Sequence, residues 1–134
     1  EADKNAMSLV ILYKDDRFTG IFTGDIGSGQ EREIIERLQA EADCHSVDFY
    51  KAAHHGSRYS NSEEFLQMLA PRVSVVSCSE SNRYGHPAEE AIMHMEKAGS
   101  AVFYTMEAGQ ITITAENEEL RIRKYGEPDR VYVR

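Results

Sequence analysis

The sequence predicts a single α/β domain in which helices pack on a mixed β-sheet. Three observations indicate this class. Apolar segments of strand length alternate with amphipathic helical segments through the middle of the chain. The connections between them are short, as in βα units. Residues of the kinds that bind metals follow directly after two of the apolar segments and in the loop after a third, where α/β proteins place their sites.

Composition is ordinary for a globular domain. The chain has 134 residues, of which 41% are hydrophobic and 28% charged, and a domain of about 150 residues buries roughly 70% of the surface of its unfolded chain. No apolar run approaches the roughly 20 residues that span a bilayer, and no secretory leader is visible before the first predicted strand. We therefore expect 1–134 to be one domain or part of one, soluble and without a membrane segment.

The net charge of −8 argues against broad electrostatic docking on nucleic acid. A bound metal ion would supply local positive charge, so a nuclease is not excluded. The acidic residues cluster on predicted helices, and we interpret them, Glu31 included, as solvated helix faces. Cys44 and Cys78 form no CxxC pair, which favours a reducing compartment, but the localisation stays open.

The first half of the chain predicts three strands and a helix. Two strands are joined by the turn Asp15-Asp16. In the helix, Ile34, Ile35 and Leu38 fall on one face, as in an amphipathic helix that packs on a sheet. The predicted elements are strands at 8–14 and 17–23, a loop at 24–29, a helix at 30–42, a strand at 46–53 and a loop at 54–60.

The second half continues the alternation and ends in strands. Ser60 and Glu63 predict a capping box at the start of a helix. Pro87 and Gly99 suit the first turn and the C-terminal cap of the next helix. The predicted elements are a helix to 69, a strand at 73–78, a loop at 79–86, a helix at 87–98, a strand pair at 101–105 and 110–115, a strand at 120–125 and an edge strand or tail at 131–133.

Asp25 is the first candidate site residue and ends the phrase Ile-Phe-Thr-Gly-Asp. The preceding Gly24 allows a sharp backbone turn, which would aim the carboxylate away from the strand end. The alternative is a turn aspartate that caps the glycine-rich loop after it. On Asp25 alone, both interpretations stay open.

His54 and His55 open the phrase His-His-Gly-Ser after the predicted strand 46–53. Adjacent residues of a strand point to opposite faces, so only one histidine faces a given site unless the strand has already ended. Both follow Asp25 by one βαβ unit, which brings them to the neighbouring strand end. Aspartate and histidine fit zinc, manganese or iron better than calcium. The alternative is a pair of solvent-exposed loop histidines.

His86 lies in the phrase Asn-Arg-Tyr-Gly-His-Pro, beside a predicted helix start. Free N–H groups and the helix dipole favour an anion there, so His86 would bind a metal, contact a substrate phosphate or donate a proton; the alternative is a simple capping role. His45 and His94 lack such a context and are expected to be structural or on the surface. The polar residues that would surround the site are Ser57, Ser79, Asn82, Arg83 and Tyr84.

Together these phrases resemble the metallo-β-lactamase superfamily, and within it the metallohydrolase domain of ComEC-like DNA-internalisation competence proteins. The matching phrases follow one another in the family's order over most of residues 5–115. They are Asn5 with Ser8-Leu9-Val10, Thr23-Gly24-Asp25, the Glu-rich segment 31–36, His54-His55-Gly56-Ser57 and the segment 82–87. The resemblance implies the C-terminal half of a metallo-β-lactamase-like αββα sandwich, with helices on one face of a mixed sheet.

The resemblance also implies roles for the site residues. Asp25 would bridge two metal ions, and His55, favoured over His54, would hold one of them. His54 and His86 would act in catalysis, by orienting substrate or moving protons. The implied cofactor is zinc or manganese, at a two-metal site in the complete domain. The residues expected to contact substrate are Ser57, Asn82 and Tyr84.

The superfamily's first metal motif, His-x-His-x-Asp-His, is absent from the chain. We therefore expect a missing N-terminal half, or a second copy, to complete the site, and little or no activity from the chain alone. The uncovered sheet face would be exposed. The implied function is metal-dependent hydrolysis of phosphodiesters, DNA included, in a competence-related DNA-uptake protein. The alternatives are a non-catalytic half-domain that dimerises or binds a partner, and another metallo-β-lactamase-like esterase.

Overall fold

Eight strands, four helices and two 3₁₀ turns make up residues 4–133, the part of the chain that the structure, a computed structural model, describes. Each predicted helix and strand has a counterpart, although the ends differ. The strands are β1 (Ile11–Lys14), β2 (Thr19–Phe22), β3 (Phe49–Lys51), β4 (Val73–Val76), β5 (Ala101–Tyr104), β6 (Ile111–Glu116), β7 (Glu119–Lys124) and β8 (Arg130–Val133). The helices are α1 (Ser28–Ala42), α2 (Glu63–Leu69), α3 (Glu89–Lys97) and α4 (Thr105–Ala108), and the 3₁₀ turns are Lys4–Met7 and Ala53–Gly56.

A five-stranded mixed sheet in the order β1-β2-β3-β4-β5 forms the centre of the fold. β1 and β2 are antiparallel, as expected for strands joined by a short turn, and β2 to β5 are parallel. Each parallel pair is connected through a helix, α1, α2 or α3 in turn, because parallel strands need a crossover. The predicted α/β class with a mixed sheet is confirmed.

The helices cover one face of this sheet. Ile21, Tyr50 and Val76 point toward them from neighbouring strands, and the Tyr50 ring meets the Phe65 ring edge-on with centroids 6.1 Å apart. Because strand residues alternate between faces, one residue in two supplies this core. The helix residues that complete it are Leu38 of α1, Phe65, Leu66 and Leu69 of α2, and Met95 of α3.

A second sheet covers the opposite face. Its strands are antiparallel in the order β6-β7-β8. Leu120 and Ile122 of β7 pack with Phe49, Val75 and Phe103 of the five-stranded sheet. Both β7 side chains are almost fully buried, and full burial of such a side chain stabilises the fold by about 1.5–3 kcal/mol. The expectation that this face would be exposed is therefore wrong over β3, β4 and β5.

The β1–β2 end of that face remains uncovered. Ile11 and Phe22 are directly opposed in the ladder, so their side chains share a face, and Tyr13 follows on the same side. The exposed fractions are 49% for Ile11, 51% for Tyr13 and 43% for Phe22. We call these three residues the β1–β2 apolar surface.

The predicted strand pair at 101–105 and 110–115 is wrong. β5 pairs with β4 in the central sheet, whereas β6 pairs with β7 in the second sheet. Helix α4 lies between them and carries the chain from one sheet to the other. Its Thr105 hydroxyl accepts a hydrogen bond from the Cys78 N–H at 3.0 Å and donates to the Cys78 carbonyl at 3.1 Å. A helix of four residues is too short to show a periodic pattern, so no sequence signal indicated it.

Two predicted helix starts are also wrong. The Oγ of Ser62, not Ser60, caps α2 by accepting a hydrogen bond from the Phe65 N–H at 3.3 Å. Ser60 is buried and donates to the Ile26 carbonyl at 2.6 Å. Helix α3 begins at Glu89, because Pro87 belongs to the loop before it.

Glu31 does not lie on a solvated helix face, contrary to the prediction. It is fully buried, and its carboxylate accepts hydrogen bonds from the backbone N–H groups of Asn61 and Ser62. The Asn61 Oδ1 in turn accepts from the Tyr50 hydroxyl at 2.7 Å and from the Ala53 N–H at 3.0 Å. A buried carboxylate is tolerated when it is hydrogen-bonded in this way. The network ties α1 and β3 to the loop that follows the two histidines.

Candidate active site

Three loops meet at one edge of the central sheet, because β2, β3 and β4 are parallel and their carboxyl ends coincide. The loop after β2 carries Asp25, and the turn after β3 carries the two histidines. The N–H of His54 donates to the Gly24 carbonyl at 2.9 Å, and the N–H of Ala88 donates to the Gly56 carbonyl at 2.8 Å. Backbone hydrogen bonds therefore fix the three loops relative to one another.

The turn Ala53–Gly56 holds both histidines in the left-handed backbone region. The φ and ψ angles are 47° and 47° for His54, and 56° and 28° for His55. This conformation costs a non-glycine residue roughly 1–2 kcal/mol, and residues held in it cluster at functional sites. Because β3 already ends at Lys51, the strand rule that points adjacent side chains to opposite faces does not apply to this pair.

Gly56 lets the histidine turn pack against the loop after β4. Its φ is +80°, and a Cβ at this position would lie 2.7 Å from the Cβ of Pro87. Only glycine fits such an approach without movement of the neighbouring backbone. The peptide bond between His86 and Pro87 is cis, and His86 is held beside the turn.

His54, His55 and His86 form an imidazole cluster. The ring centroid of His54 lies 6.4 Å from that of His55 and 5.6 Å from that of His86. The Nδ1 of His86 is buried and has no hydrogen-bond partner among residues 4–133. Burial lowers the pKa of His86, and the nearby His54, His55 and Arg58 lower it further. The structure thus brings the two histidine phrases of the sequence together.

The hydrogen bond of His55 defines its tautomer. Its Nδ1 lies 2.6 Å from the carbonyl oxygen of Ser77, and a carbonyl only accepts, so Nδ1 carries the proton. In the neutral ring the free lone pair is then on Nε2. Metal-binding histidines usually donate their other ring N–H to a carbonyl or carboxylate in this manner. This contact distinguishes His55 from His54.

Asp25 is half-buried in the middle of the loop after β2, where its N–H donates to the Ser8 Oγ at 3.2 Å. Lys51 lies close enough to interact electrostatically with Asp25 and Cys78. Burial lowers the pKa of Lys51, and these two groups oppose that shift. Sequence reasoning missed Lys51, although the parallel register that pairs it with Phe22 places it next to the loop of Asp25.

Asn82 shapes the loop after β4. Its Oδ1 accepts from the His86 N–H at 2.9 Å, and its Nδ2 donates to the carbonyls of His86 and Ser79 at 2.6 and 2.8 Å. Tyr84 is 66% exposed and stacks on His86, with ring centroids 5.8 Å apart and an interplanar angle of 19°. The Arg83 guanidinium carbon lies 4.9 Å from the Tyr84 ring centroid, and its Nη2 donates to the Tyr84 hydroxyl at 2.7 Å.

A cavity of about 240 Å³ opens beside the imidazole cluster. Cys78, which the sequence did not single out as a site residue, contributes a free thiol whose pKa is raised by burial. Ser57 does not line the cavity. It is 1% exposed, and its Oγ accepts from the Tyr59 N–H at 3.2 Å, which supports the histidine turn. The lining residues are His55, Cys78, Ser79, Asn82, Tyr84 and His86.

The other two histidines lie apart from this cluster. His45 is on the surface, with its Nε2 3.1 Å from an Asp43 carboxylate oxygen. The Nδ1 of His94, on α3, is 2.9 Å from the carbonyl oxygen of Asn61. His94 therefore supports the loop that the Glu31 and Asn61 network also holds.

The donor types at the site suit zinc or manganese, but the set is incomplete. Aspartate oxygen and imidazole nitrogen are common ligands of both metals, and the bonded Nδ1 of His55 has the arrangement typical of a ligand. However, no three His, Cys, Asp or Glu side chains within 4–133 lie close enough together to hold a metal ion. A site with three or more protein ligands would need at least one from elsewhere.

The fold and the site define an α/β protein with an imidazole cluster and a cavity at the carboxyl ends of its parallel strands. No family model matches the chain, but two curated bacterial proteins are similar to it. The chain is 31% identical over 116 residues to ComE operon protein 3 of Bacillus subtilis (strain 168). It is 28% identical over 120 residues to Recombination protein 2 of Haemophilus influenzae (strain ATCC 51907 / DSM 11121 / KW20 / Rd).

These matches cover 87% and 90% of the chain but only 14% of each relative. The two homologues suggest a family of competence and DNA-uptake proteins, which agrees with that part of the resemblance seen in the sequence. Neither name refers to the metallo-β-lactamase superfamily or to an enzymatic activity. Within residues 4–133, no helix combines the length and apolar character needed to cross a membrane.

Proposed function

We propose that the chain is part of a metal-dependent hydrolase that cleaves phosphodiesters of nucleic acid in a competence-related DNA-uptake protein. The observation that carries the proposal is the turn Ala53–Gly56, in which two consecutive histidines have left-handed backbones and the second donates from Nδ1 to a carbonyl. Such backbone strain is typical of side chains that must be aimed at a reaction. The order of phrases that resembles the metallo-β-lactamase superfamily, and the two relatives, support it.

In this proposal the cofactor would be zinc or manganese in a two-metal site, which Asp25 and the Nε2 of His55 would help to hold. Two such ions, when bound, activate a water molecule and stabilise charge on the phosphoryl oxygens. The chain positions its ligands in advance. The hydrogen bond to Ser77 orients the His55 ring, the hydrogen bond to Ser8 holds the Asp25 backbone, and the charge of Lys51 partly offsets that of Asp25.

The remaining candidate residues act on the substrate. The rings of His54 and His86, 5.6 Å apart, orient the phosphodiester or move protons. Asn82 and Tyr84 contact substrate from the cavity wall. Ser57, also expected from the sequence to bind substrate, would act through the turn that it supports, since its side chain is buried.

The rest of the ligand set comes from outside the chain in this proposal. The source is an N-terminal half-domain with the His-x-His-x-Asp-His motif, or a second copy of the chain. The β1–β2 apolar surface of Ile11, Tyr13 and Phe22 supports a partner at this position, because it is exposed and adjoins the loop of Asp25. The chain also spans only 14% of each relative, so these relatives contain further segments that could supply such ligands.

The test uses the protein expressed from its full natural reading frame. Asp25→Ala and His55→Ala are expected to lower metal content and to slow hydrolysis of a bis(p-nitrophenyl) phosphate substrate by about 100-fold or more. Asp16→Ala, in an exposed turn, is the matched control and should change neither. Unchanged metal content and rate in Asp25→Ala would overturn the proposal.

The second candidate is a non-catalytic half-domain that dimerises or binds a partner. It is favoured by the incomplete ligand set within 4–133 and by the exposed β1–β2 apolar surface. Metal analysis combined with sedimentation of the purified chain discriminates the two. Near-stoichiometric zinc or manganese supports the hydrolase, whereas a stable metal-free dimer supports the binding module. Hydrolysis of other esters, but not of phosphodiesters, would instead indicate a related metallo-β-lactamase-like esterase.

A further inference from the structure

We infer that the cavity beside the imidazole cluster is a nucleobase subsite and that Tyr84 is its stacking residue, which makes an unpaired strand the preferred substrate. The inference rests on the proposed phosphodiesterase function, since it names the form of nucleic acid that the same site accepts. Its basis is the shape and chemistry of the cavity walls and the exposed position of the Tyr84 ring.

The walls have the character of a base pocket. Tyr84 and His86 both line the cavity, and their rings lie nearly parallel, at 19° with centroids 5.8 Å apart, so this part of the wall is aromatic. Ser79 and Asn82 add a few polar atoms, although the Asn82 Nδ2 already donates to the carbonyls of His86 and Ser79. Pockets for small planar ligands combine aromatic walls with a few polar groups that fix orientation. His55 and His86 line the cavity and also belong to the imidazole cluster, so a nucleotide whose base is bound here would lie beside that cluster.

The stacking residue is already held in place. Tyr84 stacks on His86, and the Arg83 guanidinium donates to its hydroxyl at 2.7 Å. Asn82 fixes the backbone on either side through hydrogen bonds to both the N–H and the carbonyl of His86. An exposed tyrosine that is fixed in this manner loses little conformational freedom when a base stacks on it, which favours binding.

The charge of the chain makes a base contact important. The net charge is −8, so attraction to the phosphate backbone, the usual source of affinity for duplex DNA, is weak. Aromatic stacking depends little on net charge and accepts any base. Bases inside a duplex are already stacked and paired, and a protein reaches their faces only in a single strand or after extruding a nucleotide. The cavity therefore selects unpaired nucleotides.

The test measures binding by fluorescence anisotropy, with labelled oligothymidine, the same strand in a duplex, and an abasic strand of the same length. EDTA is present so that no cleavage occurs. We expect the chain to bind oligothymidine about tenfold more tightly than either competitor. Tyr84→Ala should remove the preference, whereas Tyr84→Phe, which keeps the ring, should retain it. Tyr125→Ala, another exposed tyrosine on the second sheet's last turn, is the matched control and should also retain it.

Equal affinity for the abasic strand, a preference that survives Tyr84→Ala, or no binding of oligothymidine would each overturn the inference. These outcomes are distinct from failure of the proposed function. If the base preference fails while metal-dependent hydrolysis still requires Asp25, only the nucleobase subsite is wrong. If the base preference holds while hydrolysis does not depend on Asp25, the proposed hydrolase is wrong and the subsite stands as a binding site.

Discussion

The Nδ1 of His55 lies 2.6 Å from the carbonyl oxygen of Ser77, a residue 22 positions further along the chain. Ser77 directly follows β4, so the contact joins the carboxyl ends of two neighbouring strands. The carbonyl accepts and the imidazole donates, which fixes both the ring orientation and the position of its proton. In the neutral ring the free lone pair is therefore on Nε2 even when no ligand is bound.

This contact predicts the tautomer of His55. At a pH high enough to make the ring neutral, long-range ¹H–¹⁵N NMR should show the proton of His55 on Nδ1, because Nδ1 donates to the Ser77 carbonyl. His45, whose Nε2 rather than Nδ1 lies beside a carboxylate, is the internal comparison and should favour a proton on Nε2. A proton on Nε2 of His55 would contradict the assigned hydrogen bond and weaken its proposed role as a ligand.

The left-handed backbone of His54 predicts that the protein is more stable with glycine than with alanine at this position. The φ of 47° costs alanine roughly 1–2 kcal/mol, whereas glycine adopts it freely at a smaller entropic cost. We expect His54→Gly to exceed His54→Ala by roughly 1 kcal/mol in free energy of unfolding, measured by urea denaturation.

The same pair of substitutions at His45 is the control, since His45 has no positive φ. There, alanine should equal or exceed glycine in stability. If alanine is at least as stable as glycine at position 54 as well, the strained turn is not a property of the protein in solution.

Alanine substitutions at Gly56 and Gly126 distinguish the cost of backbone strain from the cost of a steric clash. Both have positive φ, at +80° and +75°, but only Gly56 faces a close neighbour, the Pro87 Cβ at 2.7 Å from an added Cβ. Gly126→Ala should lower the free energy of unfolding by about 1 kcal/mol. Gly56→Ala should lower it by about 2–4 kcal/mol, because overpacking adds to the strain. Equal effects in thermal denaturation would show that the histidine turn and the loop of Pro87 do not pack as described.

The hydrogen bonds that Arg123 donates to Asp129 predict a lowered pKa for the Asp129 carboxyl group. Its guanidinium donates to the Asp129 carboxylate at 2.8 and 3.1 Å and lowers the pKa of that group; the charges of Arg123 and Arg121 act in the same direction. A lowered folded-state pKa stabilises the fold above the unfolded value near 3.9, and this contribution is lost as the pH falls through the folded pKa. NMR titration should show the pKa of Asp129 rising in Arg123→Gln and unchanged in Arg37→Gln, whose parent side chain instead pairs with Glu41.

The central layer of the fold was predictable because its signals are local and periodic. Apolar alternation and helical spacing sufficed to place β2 through α3 in order. The pairing of β5 was not predictable, because 101–105 and 110–115 both have the pattern of strands and are close enough in the chain to form a hairpin. Only the four-residue helix α4 separates them. Leu120 and Ile122 pack on the first sheet, and such long-range contacts are not visible in a local pattern.

The grouping of the candidate residues in neighbouring loops was predictable, but their detailed arrangement was not. Strand-end positions indicated that Asp25, the adjacent histidines and His86 belong to neighbouring loops, and the structure places those loops together. The left-handed turn was not visible in the sequence, since only a few per cent of non-glycine residues adopt this region, even though histidine is enriched among them. The proximity of Lys51 to Asp25 depends on the register of β2 and β3, which no local pattern determines. The burial of Ser57 depends on tertiary packing, which is likewise not visible in a local pattern.

The second sheet also has a consequence for the order of folding. Its three strands are consecutive in the chain and pair with their immediate neighbours, whereas each parallel pair of the first sheet must close a loop that contains a helix. Short loops close faster and at lower entropic cost. Pulsed hydrogen exchange during refolding should therefore protect the amides of β6 and β7 before those of β3 and β4. Simultaneous protection would mean that Leu120 and Ile122 must meet the first sheet before their own hairpin is stable, so that the chain folds only as one unit.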